Sequence, residues 1–98
     1  MREAKIEAYG VREVERAGGT CEKFVSPGRR AVPDRICSLR PGVVFFIEFK
    51  APGEKPTPAQ LRDHARRRSR GFAVYVVDKK DLIPYIMNRE KHKPWGTA

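Results

Sequence analysis

The apolar positions of the chain fall into helical and extended stretches in turn. From Glu3 to Ala17 they recur at helical spacing, so that Ile6, Tyr9, Val14 and Ala17 can share an inner stripe. Gly10 is a weak point in that helix, and Gly18-Gly19 supplies its stop. Thr20 to Val25 reads as a short strand closed by Ser26-Pro27-Gly28, with Arg29 and Arg30 in the loop leading to Pro33. Arg35 to Leu39 and Val43 to Phe49 are β-prone runs around Arg40-Pro41-Gly42, the pattern of a hairpin with a short loop containing Gly. Val43-Val44-Phe45-Phe46-Ile47 shows no alternation, which predicts a central strand buried on both faces.

A loop rich in Pro, Gly and Lys runs from Ala51 to Pro56. Thr57 then opens a second helix, with a capping hydroxyl, Pro58 at the first helical position and Gln60 at the third. That helix carries Arg62, Arg66, Arg67, Arg68 and Arg70 but few apolar residues beyond Leu61 and Ala65. Phe72 to Val77 reads as another strand, and a short helix from about Asp81 to Asn88 follows, with Asp81 as its cap and Pro84 in its first turn. The tail through Trp95 has no clear pattern, and no internal repeat is visible. A helical connection between the central strand and Phe72–Val77 allows that pair to be parallel, so the order αβββαβα predicts a mixed sheet flanked by helices. Tyr9, Phe24, Phe45, Phe46, Phe72 and Tyr75 are expected in the core.

Length and charge narrow the function classes. The 98 residues are expected to form one domain with a single modest core, about 3–78, followed by a C-terminal helix and tail over 79–98. Twenty-one Lys and Arg against twelve Asp and Glu give a net charge of +9, which favours a polyanionic partner, nucleic acid before anionic membrane. No apolar stretch nears the length of a membrane span and the N-terminus has no signal-peptide core, so no membrane attachment is expected. Cys21 and Cys37 lie in predicted strands without a CxxC or His-rich setting. Buried free thiols, and hence a reducing cytoplasm, are the expectation, and His64 and His92 lie too far along the chain to make a zinc site with them.

The hairpin carries the candidate chemistry. With Pro41 at the centre of the loop, Leu39 pairs with Val43, and counting outward puts Asp34 opposite Glu48. Opposed residues of an antiparallel pair share a face with Cβ atoms roughly 4.5–5.5 Å apart, and Lys50, two residues beyond Glu48, shares it too. A one-residue slip would send one carboxylate to the other side. Two opposed carboxylates repel. Either they are solvated or ion-paired at a rim, or a hard divalent cation resolves the repulsion.

In their order, these residues resemble the PD-(D/E)xK nuclease superfamily, and within it the small phage-type VRR-NUC domains. The matching stretches are the first helix with Glu7, Glu-Lys-Phe-Val-Ser-Pro-Gly at 22–28, Val-Pro-Asp-Arg at 32–35 and Phe-Ile-Glu-Phe-Lys-Ala-Pro-Gly at 46–53. Pro-Thr-Pro-Ala-Gln-Leu at 56–61 and Gly-Phe-Ala-Val-Tyr-Val-Val at 71–77 complete the set. One departure is Ala31, where the family usually has Gly; Ala does not readily adopt a positive φ.

The resemblance implies a restriction-endonuclease-like αβββαβ core and metal-dependent hydrolysis of DNA phosphodiesters. It makes Asp34, Glu48 and the backbone carbonyl of Phe49 ligands for Mg²⁺ or Mn²⁺, with Glu7 reaching the metal directly or through water and Glu3 its rival. Lys50 and Gln60 join the catalytic set. Lys23, Arg29, Arg30, Arg35, Arg62 and Arg66 are the candidate DNA contacts. A homodimer cutting branched DNA such as Holliday junctions in a bacterial or phage-infected cytoplasm is the implied activity. The alternatives are cleavage of flaps or linear duplex, and a basic DNA-binding module without cleavage.

Overall fold

A computed structural model describes residues 2–93, so Trp95 lies outside the described residues. The elements run α1 (Glu3–Arg16), β1 (Thr20–Lys23), β2 (Arg35–Arg40), β3 (Val43–Phe49), α2 (Pro58–Ser69), β4 (Ala73–Val77) and α3 (Leu82–Lys91). They build the expected mixed sheet, in order β1-β2-β3-β4. β1, β2 and β3 are antiparallel neighbours, and β3 and β4 are parallel across the α2 crossover. Among the described residues no helix is long and apolar enough to cross a membrane.

Strand alternation sorts the sheet into two faces. Phe45, Ile47 and Phe49 of β3 join Cys21, Cys37 and Val77 in one cluster with Ile6 and Val14 of α1 and Ile83 and Ile86 of α3. Each such buried side chain contributes about 1.5–3 kcal/mol. Phe46, Glu48 and the following Lys50 point the other way, toward α2, and all three are buried as well. β3 is therefore covered on both sides, as its unbroken apolar run predicts.

The inner face of α1 differs from its sequence pattern. Ile6, Gly10 and Val14 are the buried positions, whereas Ala17 is exposed. Gly10 is the point of closest approach. A Cβ there would lie 2.9 Å from Phe49 Cζ and 3.1 Å from Ile83 Cδ1. The absence of a side chain lets α1 settle onto the strand that carries Glu48.

The hairpin turn also differs in detail. Arg40 pairs with Val43 across Pro41-Gly42, and Gly42 takes φ 79°, the left-handed conformation a Pro-Gly turn requires. A two-residue loop alone would place Asp34 across from Phe49. The register shifts between Cys37 and Arg40, so that Arg35 faces Ile47, Ile36 faces Phe46 and Cys37 faces Phe45. This bulge restores the register expected from a loop centred on Pro41.

α2 has few apolar residues to bury, and polar contacts fasten it instead. Thr57 Oγ1 accepts from the Gln60 N–H while Gln60 Oε1 accepts from the Thr57 N–H, a complete capping box. Asp63 accepts hydrogen bonds from Arg66 and Arg67. The Arg67 guanidinium lies 4.9 Å from the ring centres of both Phe24 and Phe46. Burial opposes ionisation of Asp63, but its hydrogen bonds with Arg67 and Arg66 outweigh that and hold its carboxyl below the ordinary range.

Smaller departures have local causes. Asp81 does not cap α3: its backbone is already helical at φ −59° and ψ −23°, and its side chain makes no cap bond. Tight turns at Lys79 and Lys80 curve the chain before it, and their carbonyls accept from the Leu82 and Ile83 N–H groups. Phe72 is exposed at the mouth of β4 instead of joining the core. Cys21 and Cys37 are directly paired across β1 and β2 as buried free thiols. Ala31 has no positive φ, so its loop runs without the left-handed turn a Gly would permit.

Gly10→Ala gains up to about 1 kcal/mol of helix propensity and meets a rigid, fully packed ring, so urea unfolding should show a net loss of about 1–2 kcal/mol. Asp63→Asn should lower stability by about 1–3 kcal/mol at neutral pH. Because the folded-state pKa of Asp63 is depressed, that gap should hold down to about pH 5 and close below about pH 4 as wild-type Asp63 takes up its proton. Denaturant midpoints measured across pH check both the size and the sign.

Candidate active site

The β2–β3 register sets the site. Continued one step past Arg35 and Ile47, it brings Asp34 opposite Glu48 at the end of the hairpin. Asp34 is pinned there at two atoms: its carbonyl accepts from the Phe24 N–H at 2.9 Å and its Oδ2 from the Phe49 N–H at 2.8 Å. The chain leaving β1 thus fixes the aspartate backbone and β3 its carboxylate. Lys50 follows on the same face, with its own N–H bonded to the Val77 carbonyl at 2.9 Å.

Glu48 is 3% exposed, and its two oxygens have different neighbours. Oε2 accepts from Gln60 Nε2 at 3.3 Å and lies 3.9 Å from Lys50 Nζ. Oε1 is buried, has no hydrogen-bond partner among the described residues and faces His64 Nε2 at 3.6 Å. Burial first, and then the charge of Asp34 and a hydrogen bond shared with its carboxyl, push the Glu48 carboxyl up to about 8, against the opposing pull of Lys50. Gln60 performs two jobs with one amide, its oxygen closing the capping box and its nitrogen reaching Glu48.

The two helix-borne acids part company. Glu7 is engaged by Arg35, whose Nε donates to Glu7 Oε2 at 2.8 Å, with Lys23 Nζ 4.0 Å away. Arg35 also donates to the Cys21 carbonyl and is largely buried, which leaves it little surface for another partner. Glu3, one turn earlier, is the acid within electrostatic reach of the hairpin pair. Lost hydration and the charges of Asp34 and Glu54 raise its pKa, while Lys50 lowers it.

The remaining cations surround a set of clefts. Arg29, Arg30, Arg62 and Arg66 line one of about 430 Å³. Lys23, Arg29 and Arg30 share another, of about 450 Å³, with Asp34. Arg29 reaches a third with Arg66, Arg70 and the exposed Phe72. A basic surface therefore runs from Asp34 along the 24–33 loop to α2.

His64 is the residue that sequence reasoning passed over. It was considered only as a partner for the cysteines, yet it is fully buried beside Glu48. The available signal was its spacing, four residues after Gln60 and so on the same face of α2.

Among the described residues no group of three or more His, Cys, Asp or Glu side chains is arranged to hold a metal ion. Two features nevertheless suit a hard divalent cation. The donors are carboxylate oxygens, and Glu48 Oε1 is buried with no hydrogen-bond partner. Cations of the Mg²⁺ type keep several waters and take only one or two carboxylates, which is what Asp34 and Glu48 offer.

No family model matches the chain. It is 56% identical over 82 residues to "Putative nuclease p44" of Acyrthosiphon pisum secondary endosymbiont phage 1, spanning 84% of this chain and 88% of that protein. A solved structure described as a VRR_NUC domain superposes with a TM-score of 0.82 at 32% identity, covering 90% of this chain and 97% of the other. At these levels of identity and coverage the chain belongs to the VRR-NUC nuclease family as a small phage-type member.

Proposed function

We propose that this nuclease is a Mg²⁺- or Mn²⁺-dependent endonuclease that hydrolyses phosphodiester bonds in branched DNA, Holliday junctions foremost, as a homodimer in the cytoplasm of a bacterial or phage-infected cell. The observation that carries the reading is the convergence of Asp34, Glu48 and Lys50 at one end of the sheet, with Gln60 hooked onto Glu48.

Asp34, Glu48 and the Phe49 carbonyl would hold the cation, with Glu3 as the helix-borne acid nearest Asp34 and Glu7 supporting the site through Arg35. When bound, the cation supplies Lewis-acid activation of water and neutralises phosphate charge. Lys50 presents its ammonium to the phosphate oxygens as negative charge builds there, and its burial strengthens that interaction. Gln60 fixes the plane of the Glu48 carboxylate. Lys23, Arg29, Arg30, Arg62 and Arg66 contact DNA phosphates and set the register of the substrate without reading its sequence. Arg35 serves the site by anchoring Glu7.

The branched substrate is supported by the basic surface, whose clefts leave Asp34 along the 24–33 loop and turn at Arg29 toward α2, giving more than one direction for a duplex arm. A single cluster serves one strand at a time, so cutting paired strands of a junction calls for two copies.

Purified protein with Mn²⁺ should cleave a four-way junction faster than a flap or a linear duplex of the same sequence. Lys50→Ala should lower the rate by about 10²–10³-fold with junction binding unchanged. Equal cutting of all three substrates would remove the junction preference, and equal cutting by Lys50→Ala would refute the assigned chemistry.

A further inference from the structure

α2 delivers two side chains to one carboxylate. Gln60 and His64, one helical turn apart, approach the two different oxygens of Glu48: Gln60 Nε2 lies 3.3 Å from Oε2 and His64 Nε2 lies 3.6 Å from Oε1. The latter separation is longer than a hydrogen bond. Neither ring nitrogen of His64 nor Glu48 Oε1 has a hydrogen-bond partner among the described residues, and all three atoms are buried. A buried polar group in that condition is destabilising, and a small rotation of either side chain would relieve it. His64 is 0% exposed, so it reaches neither substrate nor solvent.

We propose that His64 is a positioning residue, which donates from Nε2 to Glu48 Oε1 when the site is loaded and so holds the glutamate in the orientation that receives the cation. The inference rests on the assignment of Glu48 as a cation ligand. It adds a second support to Glu48 beside Gln60, from a residue that itself touches neither DNA nor metal. Outer supports of this kind typically change metal affinity or activity by about 10–100-fold when removed. A residue that merely fills space under α2 would be replaceable by any side chain of similar volume. A donor would not.

The test compares wild type with His64→Leu, which keeps volume without a donor, and His64→Gln, whose amide nitrogen reaches a similar position to Nε2. Calorimetric titration with Mn²⁺ alone, junction cleavage and thermal melting are measured on each. The expected result is that folded His64→Leu binds Mn²⁺ and cleaves about 10–100-fold more weakly, while His64→Gln stays within about threefold of wild type. Leucine within twofold of wild type, or glutamine as impaired as leucine, overturns the proposal. Should His64→Leu fail to fold, the imidazole nitrogen spectrum of Mg²⁺-loaded wild type decides. A proton on Nε2 supports the proposal and a proton on Nδ1 alone overturns it. Because the titration and the spectrum need no DNA, a wild type that binds metal but cuts nothing would count against the nuclease reading and leave this one standing.

Discussion

The antiparallel register between β2 and β3 determines whether the two carboxylates can act together. Asp34 and Glu48 lie across from each other only because the strand shifts between Cys37 and Arg40. With the Pro41-Gly42 turn alone, Asp34 would face Phe49 and its side chain would point away from Glu48. Everything packed around the hairpin reinforces the shifted register. Phe24 of the chain leaving β1 holds the Asp34 carbonyl, Phe49 holds its carboxylate, and Gly10 lets α1 press Phe49 into place from the opposite face. The site is thus tied to the packing of the core by one residue, Phe49, whose ring lies in the core while its N–H serves Asp34.

The surroundings of Glu48 show why the arrangement suits a cation. The charge of Asp34 opposes ionisation of Glu48, while the Lys50 ammonium, 3.9 Å from Glu48 Oε2, favours it. Desolvation is the largest influence, and with Asp34 it keeps the proton on Glu48 up to about 8. Gln60 adds a neutral donor, which favours the ionised carboxylate without offsetting its burial. A divalent ion would bring twice the charge of Lys50 to both carboxylates together. The fold keeps a buried acid that costs stability when ionised alone, and a hard cation would offset that cost.

Much of this was legible in the sequence, though not always for the reason first given. The αβββαβα order followed from turn residues and periodicity, and the capping box over Thr57 to Gln60 located α2. The Asp34–Glu48 register emerged correctly from a loop supposed to be centred on Pro41, whereas a tighter turn and a bulge produce it. The choice between Glu3 and Glu7 was closed to pattern reading, because residues four apart share a helix face. Their surroundings differ only in three dimensions, where Arg35 engages Glu7. His64 stood among arginines in a helix with little apolar pattern, and its burial depends on how α2 lies over β3. Phe72 was expected in the core on residue type alone, but the strand begins one residue later and leaves its ring at the edge.

The central claim is that Asp34 and Glu48 form a cation seat, and that the protein tolerates burying the Glu48 acid for that purpose. Thermal melting of wild type and Glu48→Gln, each with and without Mn²⁺ at neutral pH and with no DNA present, tests it most directly. Without metal, Glu48→Gln should melt at or above wild type, since the substitution removes a buried acid. With Mn²⁺ in about hundredfold excess over its dissociation constant, wild type should gain about 2.7 kcal/mol of stability, seen as a rise of several degrees, while Glu48→Gln stays unmoved. Equal responses of the two proteins to Mn²⁺, or none from wild type, would contradict the account.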